Sequence, residues 1–148
     1  MITPLEILLV EDNPQDAELA IRALNNCDLG DKLVHVIDGQ AALDFLFGHG
    51  IYEGRNIQIQ PKVVLLDLKL PKVDGIEVLR QLRADERTRL LPIVMLTSSR
   101  QDRDVIETYN LGANSYIAKP VDFERFSEAI SSAGRYWVLV NEAPIGDP

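Results

Sequence analysis

The sequence predicts an α/β fold, a doubly wound parallel (βα)5 sheet with strand order 2-1-3-4-5. Three observations carry that prediction. Five short aliphatic runs alternate with five segments of helical apolar spacing. The runs are branched and nearly unbroken, as expected of strands buried on both faces of a parallel sheet. The 148 residues, 46% apolar and 26% charged, suit one domain, read here as a core over about 5–132 with a C-terminal extension over 133–148.

The first run, LEILLV at Leu5–Val10, ends in Glu11-Asp12-Asn13-Pro14. Asn13 can cap a helix that begins at Pro14 and carries Asp16 in its first turn, where an acid suits the helix dipole. Ala17, Ala20, Ile21, Leu24 and Cys27 form its apolar stripe. Lys32–Ile37 is the second strand, and Asp38-Gly39 is a turn that can cap a helix over Gln40–Phe47 with Ala42, Phe45 and Leu46 inward. His49–Pro61 has two glycines, a proline and no period, which reads as a surface excursion longer than the usual ~2–6 residues.

Val63-Val64-Leu65-Leu66 is the third strand and stops abruptly at Asp67. An unpaired charge inside a buried strand costs several kcal/mol, so the acid is expected at the strand's exit. Asp74-Gly75 opens a helix to about Asp85, burying Val78, Leu79 and Leu82. Pro92–Leu96 is the fourth strand, ending in Thr97-Ser98-Ser99, and Asp102–Leu111 is a helix stopped by Gly112. Ser115–Ala118 is a short fifth strand ending in Lys119-Pro120. Asp122 caps the last helix, along which Phe123, Phe126, Ile130, Ala133 and Trp137 follow helical spacing.

Charge and composition exclude several classes of function. A net charge of −8 and a pI near 4.7 argue against direct contact with DNA. No apolar run approaches the roughly 18 residues of a membrane span, and no basic-then-apolar leader opens the chain. The single Cys27 cannot form an intrachain disulfide. A cytoplasmic protein with no membrane partner is therefore expected.

The strand exits, compared with one another, point to chemistry. In open α/β sheets, ligands bind at the carboxyl edge. In the predicted order, strands 1, 3, 4 and 5 are neighbours about 4.8 Å apart, so Glu11, Asp12, Asp67, Thr97 and Lys119 converge there. Three carboxylates crowded together repel one another unless a cation relieves them. Mg2+ fits, since it takes oxygen ligands and is commonly held by one or two carboxylates while binding a phosphoryl group. Asp12 and Asp67 would ligate directly, Glu11 through water, and the backbone carbonyl of Lys69 is a further candidate. A carboxylate can also act as a nucleophile. Mg2+ and Lys119 would then neutralise phosphoryl oxygens while the Thr97 hydroxyl donates to one, which makes Asp67 the acceptor in a phosphoryl transfer. No G-x-x-x-x-G-K-[ST] is present, which excludes a P-loop nucleotidase.

Glu11-Asp12, the L-L-D-L-x-L-P-x-x-D-G run at Leu65–Gly75, Leu96-Thr97-Ser98 and G-A-N-S-Y-I-A-K-P at Gly112–Pro120 resemble the receiver domain of two-component response regulators, a flavodoxin-like fold. The resemblance implies that Asp67 accepts its phosphoryl group from a sensor histidine kinase. It further implies a cis Lys119-Pro120 peptide, and a Tyr116 that swings inward when Thr97 shifts. The long excursion and the tail Tyr136-Trp137-Val138-Leu139 are similar to the stand-alone regulators encoded with phytochromes, which implies a phytochrome-type kinase as partner. With no output domain following, the expectation is a signalling protein rather than an enzyme, acting on a downstream protein target by contact or by phosphorelay.

Two other classes compete. A haloacid dehalogenase-type phosphatase also uses an aspartyl nucleophile and Mg2+, but that family needs a second aspartate where Lys69 stands. A phosphorylation-independent adaptor would not need the complete residue set. Ile106, Tyr109, Tyr136 and Trp137 leave more apolar surface than a monomer needs, which predicts a homodimer through the fourth and fifth helices and the fifth strand. His35 and His49 have no partners at ligand spacing and receive no role.

Overall fold

The computed structural model describes residues 5–97, 102–119 and 122–142. The elements run β1 (Ile7–Val10), α1 (Pro14–Asn26), β2 (Leu33–Val36), α2 (Gly39–Phe47), β3 (Val63–Leu66), α3 (Gly75–Ala84), β4 (Ile93–Thr97), α4 (Asp102–Asn110), β5 (Ser115–Ala118) and α5 (Phe123–Arg135). The five strands form one parallel sheet in the order β2-β1-β3-β4-β5, the predicted topology.

Alternation along each strand divides the core in two. Ile7 and Leu9 of β1, Val63 and Leu65 of β3, and Val94 and Leu96 of β4 join α1 and α5 in one cluster with Ala17, Ala20, Leu24, Phe126 and Ile130. Their neighbours Leu8, Val10, Val64, Leu66, Ile93 and Met95 pack with Leu43, Leu46, Val78, Leu79 and Leu82 of α2 and α3. Because both faces are covered, strands β1, β3 and β4 are buried at every position.

Carboxyl and amide side chains start the helices at the strands' carboxyl edge. Asn13 Oδ1 accepts from the Gln15 and Asp16 amides at 2.9 and 3.1 Å, with Pro14 opening α1. Asp38 accepts from Ala41 N at 2.7 Å, Asp74 from Glu77 N at 2.9 Å and Asp122 from Glu124 N at 2.9 Å. The helix entries therefore ring the edge at which the functional side chains emerge.

Several details depart from the sequence reading. Ala23 is buried on α1, while Ile21 and Cys27, the latter at the helix's C-cap, are only half-buried against the same cluster. Phe123, expected inside, is 38% exposed at the start of α5, with the Arg22 guanidinium 5.9 Å from its ring centroid. The excursion after α2 contains a 3-10 turn, Gly50–Tyr52, and is pinned by Arg55, which donates to Phe45 O at 2.6 Å and Ile59 O at 2.8 Å. Beyond α5 the chain winds as a π-helical turn, Tyr136–Val140. Trp137, expected on an association surface, packs half-buried against the α1/α5 cluster, beside the buried Val138. Among the described residues, no helix is long and apolar enough to cross a membrane.

A second guanidinium organises the opposite edge of the sheet. Arg83, near the end of α3, donates to Gly112 O at 2.9 Å, Leu91 O at 2.8 Å and Asn114 Oδ1 at 3.0 Å. Asn114 Oδ1 also accepts from Ile93 N at 2.8 Å, so one side-chain cluster joins α3, β4 and the turn before β5.

Candidate functional site

Ladder pairing fixes the positions of the site residues. Val10 pairs with Leu66 and Thr97 with Ala118, so Glu11 and Asp67 leave adjacent strands at one level, and Lys119 leaves β5 just beyond Thr97. Backbone bonds carry the ladder one residue further: Glu11 N donates to Val36 O (3.1 Å), Asp67 N to Val10 O (3.1 Å) and Lys119 N to Thr97 O (2.7 Å). These side chains are thus aimed by the sheet itself rather than by a free loop. Close packing fixes the far side of Asp67. Gly75 N donates to Leu68 O at 2.7 Å, and a Cβ on Gly75 would collide with the Asp67 carbonyl oxygen and approach Leu68 Cα to 2.8 Å.

The carboxylates of Glu11, Asp12 and Asp67 offer oxygens that all lie within 4.8 Å of one another, with Glu11 and Asp67 buried and Asp12 exposed. The Lys119 ammonium is the local counter-charge. It donates to Glu11 Oε1, to Asp67 Oδ2 at 2.9 Å and to Asp16 Oδ2 at 3.0 Å, which accounts for its three N–H groups. The second oxygens of Glu11 and Asp67 are engaged as well: Asn13 N donates to Glu11 Oε2 at 3.2 Å and Lys69 N to Asp67 Oδ1 at 3.3 Å.

Burial pushes the Glu11 carboxyl up to about 7, opposed by its bond to Lys119 and reinforced by Asp67. For Lys119, burial alone would lower the ammonium's pKa. The bonds to Glu11, Asp67 and Asp16 outweigh burial and hold it above the ordinary lysine range. One ammonium therefore serves an acid excess that it does not cancel. The donor atoms are all hard carboxylate oxygens, the set a small divalent cation prefers. The residues present fit Mg2+.

The other predicted residues fall as follows. Thr97, 1% exposed, ends β4 between the strands that deliver Asp67 and Lys119. Tyr116, on β5, is half-buried and packs against the α2/α3 core cluster. The Lys69 side chain is exposed. Pro120, and with it the expected cis Lys119-Pro120 peptide, lies outside the described residues. Ile106 and Tyr109 on α4 and Tyr136 beyond α5 are exposed at 59%, 48% and 47%.

Two residues that the sequence reading left without a place in the site belong to it. Asp16, read only as a dipole partner, is a direct partner of Lys119. His35, read as having no role, sets its Nε2 at 2.8 Å from the Glu11 carbonyl oxygen, bracing the turn that carries Glu11 and Asp12. The position of Asp16 in the first turn of α1, close behind Glu11 and Asp12, was the available signal for the first. Nothing in the sequence signalled the second.

A parallel (βα)5 sheet with this acid cluster and lysine at its carboxyl edge defines the class of phosphoacceptor signalling domains. The family model for the response regulator receiver domain matches residues 7–131, and the chain belongs to that family. It is 42% identical to Probable methanogenesis regulatory protein FilR2 of Methanothrix harundinacea, over 95% of this chain and 88% of the relative. It is 35% identical to Response regulator Rcp1 of Synechocystis sp., over 91% of this chain and 90% of the relative. The solved Mn(2+)-bound form of Rcp1 superposes with a TM-score of 0.86 at 34% identity, covering 96% of this chain and 100% of that one. The phosphorylated cyanobacterial phytochrome response regulator RcpA superposes with a TM-score of 0.87 at 32% identity, covering 96% of this chain and 99% of that one.

Proposed function

We propose that the protein is a response regulator whose receiver domain accepts a phosphoryl group on Asp67. The observation that carries this reading is the Lys119 ammonium, 2.9 Å from Asp67 Oδ2 and beside two further acids. In the reaction, an Asp67 carboxylate oxygen attacks the phosphorus of a phosphohistidine on a sensor kinase. The P–O bond forms as the P–N bond breaks, and the electron pair stays on the imidazole nitrogen. Lys119 and the Thr97 hydroxyl take up the phosphoryl oxygens. Asp12 and Asp67, with Glu11 through water and the Lys69 carbonyl, would hold Mg2+, which supplies charge neutralisation for the transferring group when bound.

The product adds up to about two negative charges to a cleft already rich in acid, which biases a two-state surface. The residues that would report the change are Thr97 and the half-buried Tyr116, which lie on adjacent paired strands. The likeness to Rcp1 and to the phytochrome response regulator RcpA favours a phytochrome-type histidine kinase as donor. The signal then leaves by protein contact or phosphorelay, without direct DNA binding. The exposed Ile106 and Tyr109 of α4 together with Tyr136 support a homodimer through this face.

The test is incubation with acetyl phosphate and Mg2+ followed by intact-mass analysis. One added phosphoryl group that disappears in Asp67→Asn is expected. Rapid turnover of phosphomonoesters would favour the phosphatase class, and the absence of any adduct would favour an adaptor.

A further inference from the structure

Lys119 gives one of its three N–H groups to a carboxylate outside the trio suited to a cation. Glu11 and Asp67 belong to the group of oxygens within 4.8 Å of one another, whereas Asp16 does not. Asp16 is also the most accessible of the three partners, with its side chain 35% exposed against 1% for Glu11 and 9% for Asp67. It stands at the rim of the cleft, in the first turn of α1, its backbone amide held by Asn13 Oδ1 at 3.1 Å.

Every carboxylate oxygen of Glu11 and Asp67 already accepts a hydrogen bond, one each from Lys119 and one each from a backbone amide. A divalent cation drawn to Glu11 and Asp67 repels the ammonium and takes up negative charge from the two carboxylates, so it loosens their hold on Lys119. An ammonium released without a partner would be left partly buried and uncompensated. Asp16 offers a partner that a cation does not compete for.

We propose that Asp16 is a positioning residue that retains the Lys119 ammonium at the rim of the cleft when Glu11 and Asp67 give up their bonds to it. Lys119 then stays within reach of an incoming phosphoryl group without competing for the oxygens that hold the cation. The proposal rests on the phosphoryl-transfer reading above, and it adds a fourth acid, with a different task, to that site.

The experiment pairs calorimetric titration of the full chain with Mg2+ and intact-mass kinetics with acetyl phosphate. The variants are Asp16→Asn, Asp16→Glu, Lys119→Met and the control Glu18→Gln, which removes an acid paired with Arg22 in the same helix. Asp16→Asn is expected to weaken Mg2+ binding and slow phosphorylation of Asp67 by about three- to tenfold, the scale of one charge-assisted hydrogen bond in a half-open site. Asp16→Glu should recover most of both, and Glu18→Gln should stay within about twofold of wild type. In a Lys119→Met background, Asp16→Asn should change Mg2+ affinity by no more than about twofold, because the residue it acts through is gone. Unchanged Mg2+ affinity in Asp16→Asn, an equal loss in Glu18→Gln, or an equal loss without Lys119 would each overturn the proposal. Failure of the wild type to become phosphorylated would instead overturn the functional reading, while the Mg2+ titrations would still decide the role of Asp16.

Discussion

Lys119 and Asp67 are 52 positions apart in the chain, yet the ammonium of one stands 2.9 Å from Oδ2 of the other. Their strands are not neighbours, since β4 lies between β3 and β5. Two strand spacings amount to about 9 to 10 Å, a gap that only a long side chain reaching back across the end of β4 can close. The lysine therefore arches over the strand end that carries Thr97. The same geometry explains why the ammonium meets Glu11 and Asp16, one strand further on. A shorter cation at 119 could not serve both the acceptor and the rim.

The raised pKa of Glu11 predicts how metal binding depends on pH. With the carboxyl pushed from 4.5 up to about 7, the metal-free folded protein holds a proton there that the unfolded chain has released. Stability from this group is thus present at low pH and is lost as pH rises from about 4.5 through 7, because the folded state binds more protons in that window. Cation binding needs the ionised form, so apparent Mg2+ affinity should rise over the same window and level off above it. Calorimetric titrations at several pH values in buffers of different ionisation enthalpy would measure the released proton. A flat affinity between pH 5 and 7, or one unaltered in Glu11→Gln, would contradict this assignment.

Much of this site was legible in the sequence because strand ends are marked locally. An aliphatic run that stops at an acid, a threonine or a Lys-Pro announces its exit, and the parallel topology then places the exits together. Asn13, Asp38, Asp74 and Asp122 announced the helix starts for the same local reason. What was not legible depended on partners far along the chain. Asp16 meets a lysine 103 positions away, and His35 meets a carbonyl 24 positions away on the neighbouring strand's exit. Nothing local in the sequence marks Arg55 and Arg83 either, yet each is lowered in pKa by burial and donates several bonds to backbone carbonyls. Phe123 fitted the helical stripe, but it sits at the first turn of α5, where the helix begins at the rim of the sheet and the core no longer covers it.

Gly75 sets how closely α3 can approach the loop that follows Asp67. Its Cβ would strike the Asp67 carbonyl oxygen and lie 2.8 Å from Leu68 Cα, both of them backbone atoms that cannot rotate away. Gly75→Ala should therefore destabilise the protein by about 2 to 3 kcal/mol, the scale of overpacking a tight interior contact. Because the displaced segment carries Asp67, phosphorylation by acetyl phosphate should fall even at temperatures where the variant remains folded. Chemical denaturation and intact-mass kinetics on the same preparation separate the two effects. A wild-type denaturation midpoint would show that the loop accommodates the methyl group.

Arg83 makes a contrasting prediction at the other edge of the sheet. Its guanidinium reaches Leu91 O, Gly112 O and Asn114 Oδ1 from one planar group, and a lysine has no comparable fork. Arg83→Met leaves those acceptors short of a donor and should cost about 2 to 4 kcal/mol, and Arg83→Lys should recover little of it. Mg2+ affinity should not change, since none of the Arg83 partners belongs to the acid cluster. Denaturation midpoints together with Mg2+ titration check both halves. Rescue by lysine would mean that charge alone, rather than the fork, holds this junction.

The association face can be tested more sharply than the tail sequence suggested. Trp137 packs on the α1/α5 core and meets Tyr136 edge-on at 5.0 Å between ring centroids, so Trp137→Glu would damage the fold as well as any interface. Ile106, Leu139 and Val140 are 59%, 63% and 64% exposed, and a charge placed there costs the monomer little. Ile106→Glu and Leu139→Glu should therefore keep the wild-type melting behaviour at low concentration while shifting sedimentation from dimer to monomer. Trp137→Glu should lower the melting temperature whatever the state of association. If both glutamate variants sediment like the wild type, the proposed dimer does not use this face.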